Sequence, residues 1–220
     1  MTKAKSAQLD RFALFTALLI LTLFLWFLYR GLFSFPVWFD ETVGKALFFG
    51  LPVLIFVNMT QAKYVLETFA LNRARVGLLR GLAVGGLFGF AAVLTAAFSR
   101  GVDFTQAPLF VVDRFWWELL LALLTSLWES LFFFGFMQQV IKNEASELSW
   151  LMRVILIAAI FLVFHIPNSI LRFSGVEILY QLFILGLFGL GQAMISDSYP
   201  NIYTLALTQT IWGMILLVHF

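Results

Sequence analysis

Residues 115–140 read FWWELLLALLTSLWESLFFFGFMQQV. The run is continuously apolar and lacks the alternation that a lumen-facing strand requires. It also exceeds the roughly 20 residues a helix needs to cross the hydrocarbon core. It therefore predicts a membrane-spanning helix, not a barrel strand. Working outward, Phe12–Tyr29, Val43–Met59, Val76–Phe98, Trp150–Leu171, Val176–Ile195 and Ile202–His219 predict the same. The whole chain agrees, with 62% of its 220 residues hydrophobic and only 12% charged. A soluble domain sits near half apolar and a quarter charged, so this chain lacks the polar residues to cover a water-facing surface. The expected fold class is all-α: a polytopic transmembrane helix bundle of about seven spans. No linker, low-complexity tract or internal repeat divides it, so residues 1–220 are read as a single transmembrane domain.

The cations sit mostly between the runs, where they report orientation and not a nucleic-acid partner. With the N-terminus inside, Lys3, Lys5, Arg11, Lys63, Arg73, Arg75, Arg80, Lys142 and Arg153 fall inside, and Arg30, Lys45, Arg100, Arg114 and Arg172 outside. Nine against five predicts a cytoplasmic N-terminus in a plasma (inner) membrane, with the C-terminus on the other side. Membrane lipid is the expected partner and nucleic acid is not. Lys3 and Lys5 precede an apolar run long enough to span, which reads as a retained first helix and not a cleaved signal. Trp38, Trp116, Trp117 and Trp150 fall near span ends, as interfacial anchors do. With no cysteine, disulfides and thiolate chemistry are excluded. Gly81, Gly85 and Gly89 repeat every four residues and predict a face that a neighbouring helix approaches closely; a substrate groove is the alternative.

Ionisable groups deep in apolar spans are expensive and demand an explanation. Glu129 lies near the middle of the fourth run and His165 toward the end of the fifth. A carboxylate and an imidazole make a general base and an electrophile. Each alone also has a bland reading, the Glu as a protonated interhelical hydrogen-bond partner and the His as a satisfied donor. Pro167, lacking an N–H, is expected to open the helix beside His165. Ser126 and Ser130 have no activating triad and read as packing hydroxyls. One His and one Glu fall short of the three ligands of a catalytic zinc, and His219 reads as an interfacial end residue. No metal and no cofactor are expected.

At these residues the chain resembles the CPBP intramembrane proteases, which include the type II CAAX prenyl endopeptidases and bacteriocin-related members. Their first motif is Glu-Glu-x-x-x-Arg followed by Gly-Phe. Here Glu129 and Gly135-Phe136 match, while Ser130 and Phe134 replace the second Glu and the Arg. Their second motif, Phe-x-x-x-His, is matched in full by Phe161 to His165, and Ile166-Pro167-Asn168 is similar to the usual continuation. Their third motif, His-x-x-x-Asn or Asp in the last helix, aligns with Gln209 and Gly213, after a Gly-rich helix and a polar loop at Ser196 to Asn201. The resemblance covers roughly residues 115–218.

The resemblance implies that Glu129 activates water and His165 polarises the scissile carbonyl, with Gln209 donating an amide hydrogen bond to the oxyanion. Phe161 and Asn168 are the implied substrate-binding residues. It also implies an intramembrane endopeptidase acting on a membrane-associated or lipidated peptide. The four substitutions support a second reading, a catalytically inactive relative that keeps the fold and acts as a membrane binding or scaffold protein. A small transporter or channel component is a third, weakened by the absence of an inverted repeat and by the few polar residues expected along any path.

Overall fold

In lipid a chain must satisfy its backbone hydrogen bonds internally, and each apolar run does so by coiling into a helix. The structure, a computed structural model, describes residues 3–100 and 114–219. The side chains of Lys3, Lys5, Arg100 and His219 lie outside the described residues. Among the described residues seven long helices follow in order: α1 (Lys3–Leu32), α2 (Val37–Thr60), α3 (Ala74–Arg100), α4 (Phe115–Glu144), α5 (Trp150–Arg172), α6 (Val176–Ser198) and α7 (Ile202–His219). No strand occurs among the described residues. One stretch in each of α1 to α6 is long and apolar enough to cross a membrane, and α7 has 18 residues. The expected all-α polytopic bundle is what forms.

Two local expectations are corrected. The second span begins at Val37, not Val43, so Lys45 is not an outer-loop cation but a side chain buried inside α2. Removing it from the outside set changes the distribution from nine against five to nine against four. Pro167 does not open α5, which runs unbroken from Trp150 to Arg172. The helix tolerates it because the proline removes a single donor, and neighbouring helices hold the rest of the turn in place.

Lipid is as apolar as leucine, so the helices associate by close packing and interhelical hydrogen bonds, not by the hydrophobic effect. The glycine stripe of α3 shows this against α7. A methyl group at Gly85 would stand 2.6 Å from Ile211 Cδ1 and 3.2 Å from Thr208 Cα. Thr204 Oγ1 donates to Gly77 O at 3.0 Å beside it. The packing reading of the stripe therefore holds. At the centre, Phe49, Phe132, Phe133, Phe161 and Phe164 interlock largely edge-to-face, with ring centroids 5.1–5.9 Å apart, the geometry aromatic quadrupoles favour. Phe24, Leu54, Leu82, Ile155 and Phe183 point outward to lipid.

The end of the bundle that holds the start of α1 is tied by ionic contacts. Arg11 pairs with Glu144 at 2.7 Å, and Tyr64 donates to the same carboxylate at 2.9 Å. Asp197 accepts from Arg153 at 3.0 Å and from Gln138 at 2.9 Å. A cleft opens toward the opposite end, and the polar residues of interest line it.

Candidate active site

Glu129 stands where α4 widens from α-helical to π-helical geometry, which continues through Ser130–Met137. Wide turns of this kind recur at functional sites because they re-aim side chains without ending the helix. The Glu129 side chain is only 6% exposed, and all its partners come from other helices. Oε1 receives Lys45 Nζ of α2 at 2.6 Å. Oε2 accepts from Gln209 Nε2 of α7 and faces His165 Nε2 of α5 at 3.7 Å. Side chains expected to act together thus converge from α4, α5 and α7 on one carboxylate.

His165 is oriented from behind. Its Nδ1 lies 2.8 Å from Phe161 O, and its ring packs on that of Phe161 with centroids 4.1 Å apart. With the Nδ1 proton donated to that carbonyl, a neutral imidazole offers a lone pair at Nε2 and an imidazolium offers a proton there. At 3.7 Å, His165 Nε2 and Glu129 Oε2 are within reach of a single bridging water. Gly189 of α6 makes this seating possible, since a methyl group there would stand 2.9 Å from Phe161 Cδ1.

Gln209 is fixed at both ends of its amide. Its Nε2 donates to Glu129, and its Oε1 accepts from Ser130 Oγ at 3.0 Å. Ser130 is therefore more than a packing hydroxyl. Two of the substitutions that set this chain apart from the family pattern touch each other, and together they complete the surroundings of Glu129. An amide nitrogen carries two hydrogens, and Glu129 takes one. Phe134, at the arginine position, is fully buried against Phe161. Gly213 lines the cleft, and a side chain there would meet nothing within 4 Å at its Cβ.

The cleft encloses about 1300 Å³. The starts of α2, α4 and α6 and the later turns of α5 and α7 line it, with Glu129, His165 and Gln209 among its walls. Asn168 Oδ1, Tyr180 Oη and Trp212 Nε1, on three of those walls, are buried without a hydrogen-bond partner. The expectation of few polar residues along any path fails here, because Glu41, Lys45, Glu118, Thr125 and Arg172 also line this space. Beyond Glu129, α4 is buried throughout from Ser130 to Ile141, and its phenylalanines back the site with a solid wall. Among the described residues, no group of three His, Asp or Glu side chains is arranged to hold a metal ion.

Sequence reasoning missed Lys45 and Glu41. Glu41 pairs with Lys45, accepts from Thr125 Oγ1 at 2.6 Å, and lies 3.7 Å from Arg172. The available signal was an acid and a base four residues apart at the margin of an apolar run, the spacing that puts both on one helix face.

No curated protein and no solved structure matches the chain. The family model described as type II CAAX prenyl endopeptidase Rce1-like matches residues 111–218, the region that contains α4 to α7 and thus Glu129, His165 and Gln209. With three motif positions meeting at one carboxylate and the family match spanning the helices that carry them, residues 111–218 of the chain match the type II CAAX prenyl endopeptidase Rce1-like family.

Proposed function

We propose that the chain is a glutamate- and histidine-dependent intramembrane endopeptidase that hydrolyses a membrane-associated or lipidated peptide. The observation that carries this reading is the approach of His165 Nε2 to 3.7 Å from Glu129 Oε2, beside a polar cleft. Glu129 takes a proton from water as the oxygen attacks the scissile carbonyl carbon. His165 and the remaining N–H of Gln209 stabilise the oxyanion. Collapse of the tetrahedral species breaks the C–N bond, and the proton held by Glu129 passes to the leaving amine. Asn168, Tyr180 and Trp212 carry buried polar atoms without partners, and turned into the cleft these would supply hydrogen-bonding sites for a peptide backbone, with Phe161 beneath His165. The charge distribution supports an N-terminus on the cytoplasmic side of a plasma (inner) membrane.

A second reading is a non-catalytic relative that binds a membrane partner. The observation favouring it is that Lys45 and Gln209 already engage both oxygens of Glu129. One experiment separates the two. The purified chain is assayed on prenylated and unmodified membrane peptides beside Glu129→Gln and His165→Ala. Cleavage that both variants abolish supports the endopeptidase. Cleavage that survives either variant removes that residue from the mechanism. Silence of a folded wild type across both peptide classes supports the binding protein.

A further inference from the structure

We propose that Lys45, braced by Glu41, is a positioning residue that holds Glu129 ionised and fixed in the cleft, replacing from α2 the charged partners that α4 lacks. The catalytic half of this inference rests on the endopeptidase reading; the electrostatic half does not.

The positions beside Glu129 on its own helix carry no charge. Ser130 is committed to Gln209, and Phe134 is packed among aromatic rings. A carboxylate this buried, left without a cation, takes up a proton and loses its use as a base. Lys45 prevents this by placing Nζ 2.6 Å from Oε1, with its own side chain only 6% exposed. Glu41 holds the ammonium from the other side and is itself held by Thr125 and Arg172. Glu41-x-x-x-Lys45 has the same four-residue acid–base spacing as the Glu-x-x-x-Arg that Ser130 and Phe134 interrupt. The pair has been supplied from a different helix, one that lies outside the residues of the family match.

Two features of α2 deliver it. The helix is π-helical on both sides of Lys45, over Asp40–Gly44 and Ala46–Gly50. Gly50 then lets α4 come close, since a methyl group there would stand 2.8 Å from Trp128 Cζ3, one residue before Glu129. Lysine also suits the task better than arginine. Its compact ammonium takes one oxygen, whereas a guanidinium fork tends to take both. Oε2 is thus left on the side of His165 and Gln209. Among the described residues, the charged and titratable groups around Glu129 are Lys45 and Glu41 from α2 and His165 from α5, with Arg172 of α5 acting through Glu41.

The test reads the protonation of Glu129 directly. Infrared spectra of the full chain in detergent, taken as wild type minus Glu129→Gln, isolate the Glu129 band. At neutral pH it is expected in the carboxylate region for wild type and Lys45→Arg, and in the carboxylic-acid region for Lys45→Met. On a cleaved peptide, Lys45→Met is expected to lower kcat by about 10²-fold with little change in KM, the size of a general-base contribution. The loss should shrink as pH rises, and Lys45→Arg should restore part of the rate. If Lys45→Met does not fold, Glu41→Gln with Lys45→Met leaves one carboxylate in place of two and takes the same readings. A carboxylate band that persists without Lys45 overturns the proposal. A band that shifts in a protein that cleaves nothing upholds the electrostatic role and removes the endopeptidase reading. A wild type that cleaves, with band and rate both indifferent to Lys45, does the reverse.

Discussion

Gly213→Asn puts an amide back at a position where the family's third motif places one. Steric cost is expected to be small, because nothing lies within 4 Å of the Cβ this substitution adds. Glycine is among the poorest helix formers, about 1 kcal/mol below alanine, and asparagine is a few tenths better. The stability change should therefore stay within about 0.5 kcal/mol and the melting temperature should barely move. The rate should move much more. Position 213 lies one helical turn beyond Gln209 on α7 and lines the same cleft. One well-placed oxyanion donor is worth about 10²–10³ in kcat, or about 2.7–4 kcal/mol. The assay is single-turnover cleavage of a fluorogenic membrane peptide, with Gly213→Asn tested alone and combined with Gln209→His. The histidine can keep the existing contacts, donating to Glu129 from one ring nitrogen and accepting from Ser130 at the other. Gains of that order in the folded variants are expected. A variant destabilised by more than about 1 kcal/mol refutes the claim of open space, on the stability scale used here. A stable variant with an unchanged rate refutes the claim that position 213 addresses the reacting carbonyl.

Two predictions concern the scaffold. Gly85→Leu forces side-chain atoms into Ile211 and the backbone of Thr208; overpacking of this kind costs about 1–3 kcal/mol, so the melting temperature in detergent should fall, and an unchanged value would mean that α3 and α7 are not in contact there. Asp197→Ala leaves Arg153 and Gln138 without their shared acceptor; removing one partner of a fully buried pair costs about 3–5 kcal/mol, and this partly buried pair should lose less than that, which chemical denaturation should register, while the conservative Asp197→Asn should lose less still.

The helices were legible because nothing except a span accommodates runs such as 115–140. Glu129 and His165 were legible for the converse reason, as ionisable groups inside those runs. Gln209 was different. A glutamine in an apolar helix carries little signal by itself, and only the order of three motifs singled it out. Its contact with Ser130 joins residues 79 apart in sequence, and no local pattern reports such a pairing. Lys45 and Glu41 were hidden by a boundary. With the second span begun at Val43, Glu41 falls in a loop and Lys45 among interfacial cations. Begun at Val37, both become intramembrane charges in need of partners. Helix ends are the least certain part of any sequence reading, and here Glu41 and Lys45 lay within one turn of the expected start at Val43.

The position of the cleft near one end of the bundle makes access to it sided. The cleft is lined by the start of α2 and the last turns of α5, across the bundle from the Arg11–Glu144 tie. After reconstitution into sealed vesicles in mixed orientation, a water-soluble peptide that cannot cross lipid reaches only molecules whose Arg172 end points outward. The others are reached only once detergent breaches the vesicle.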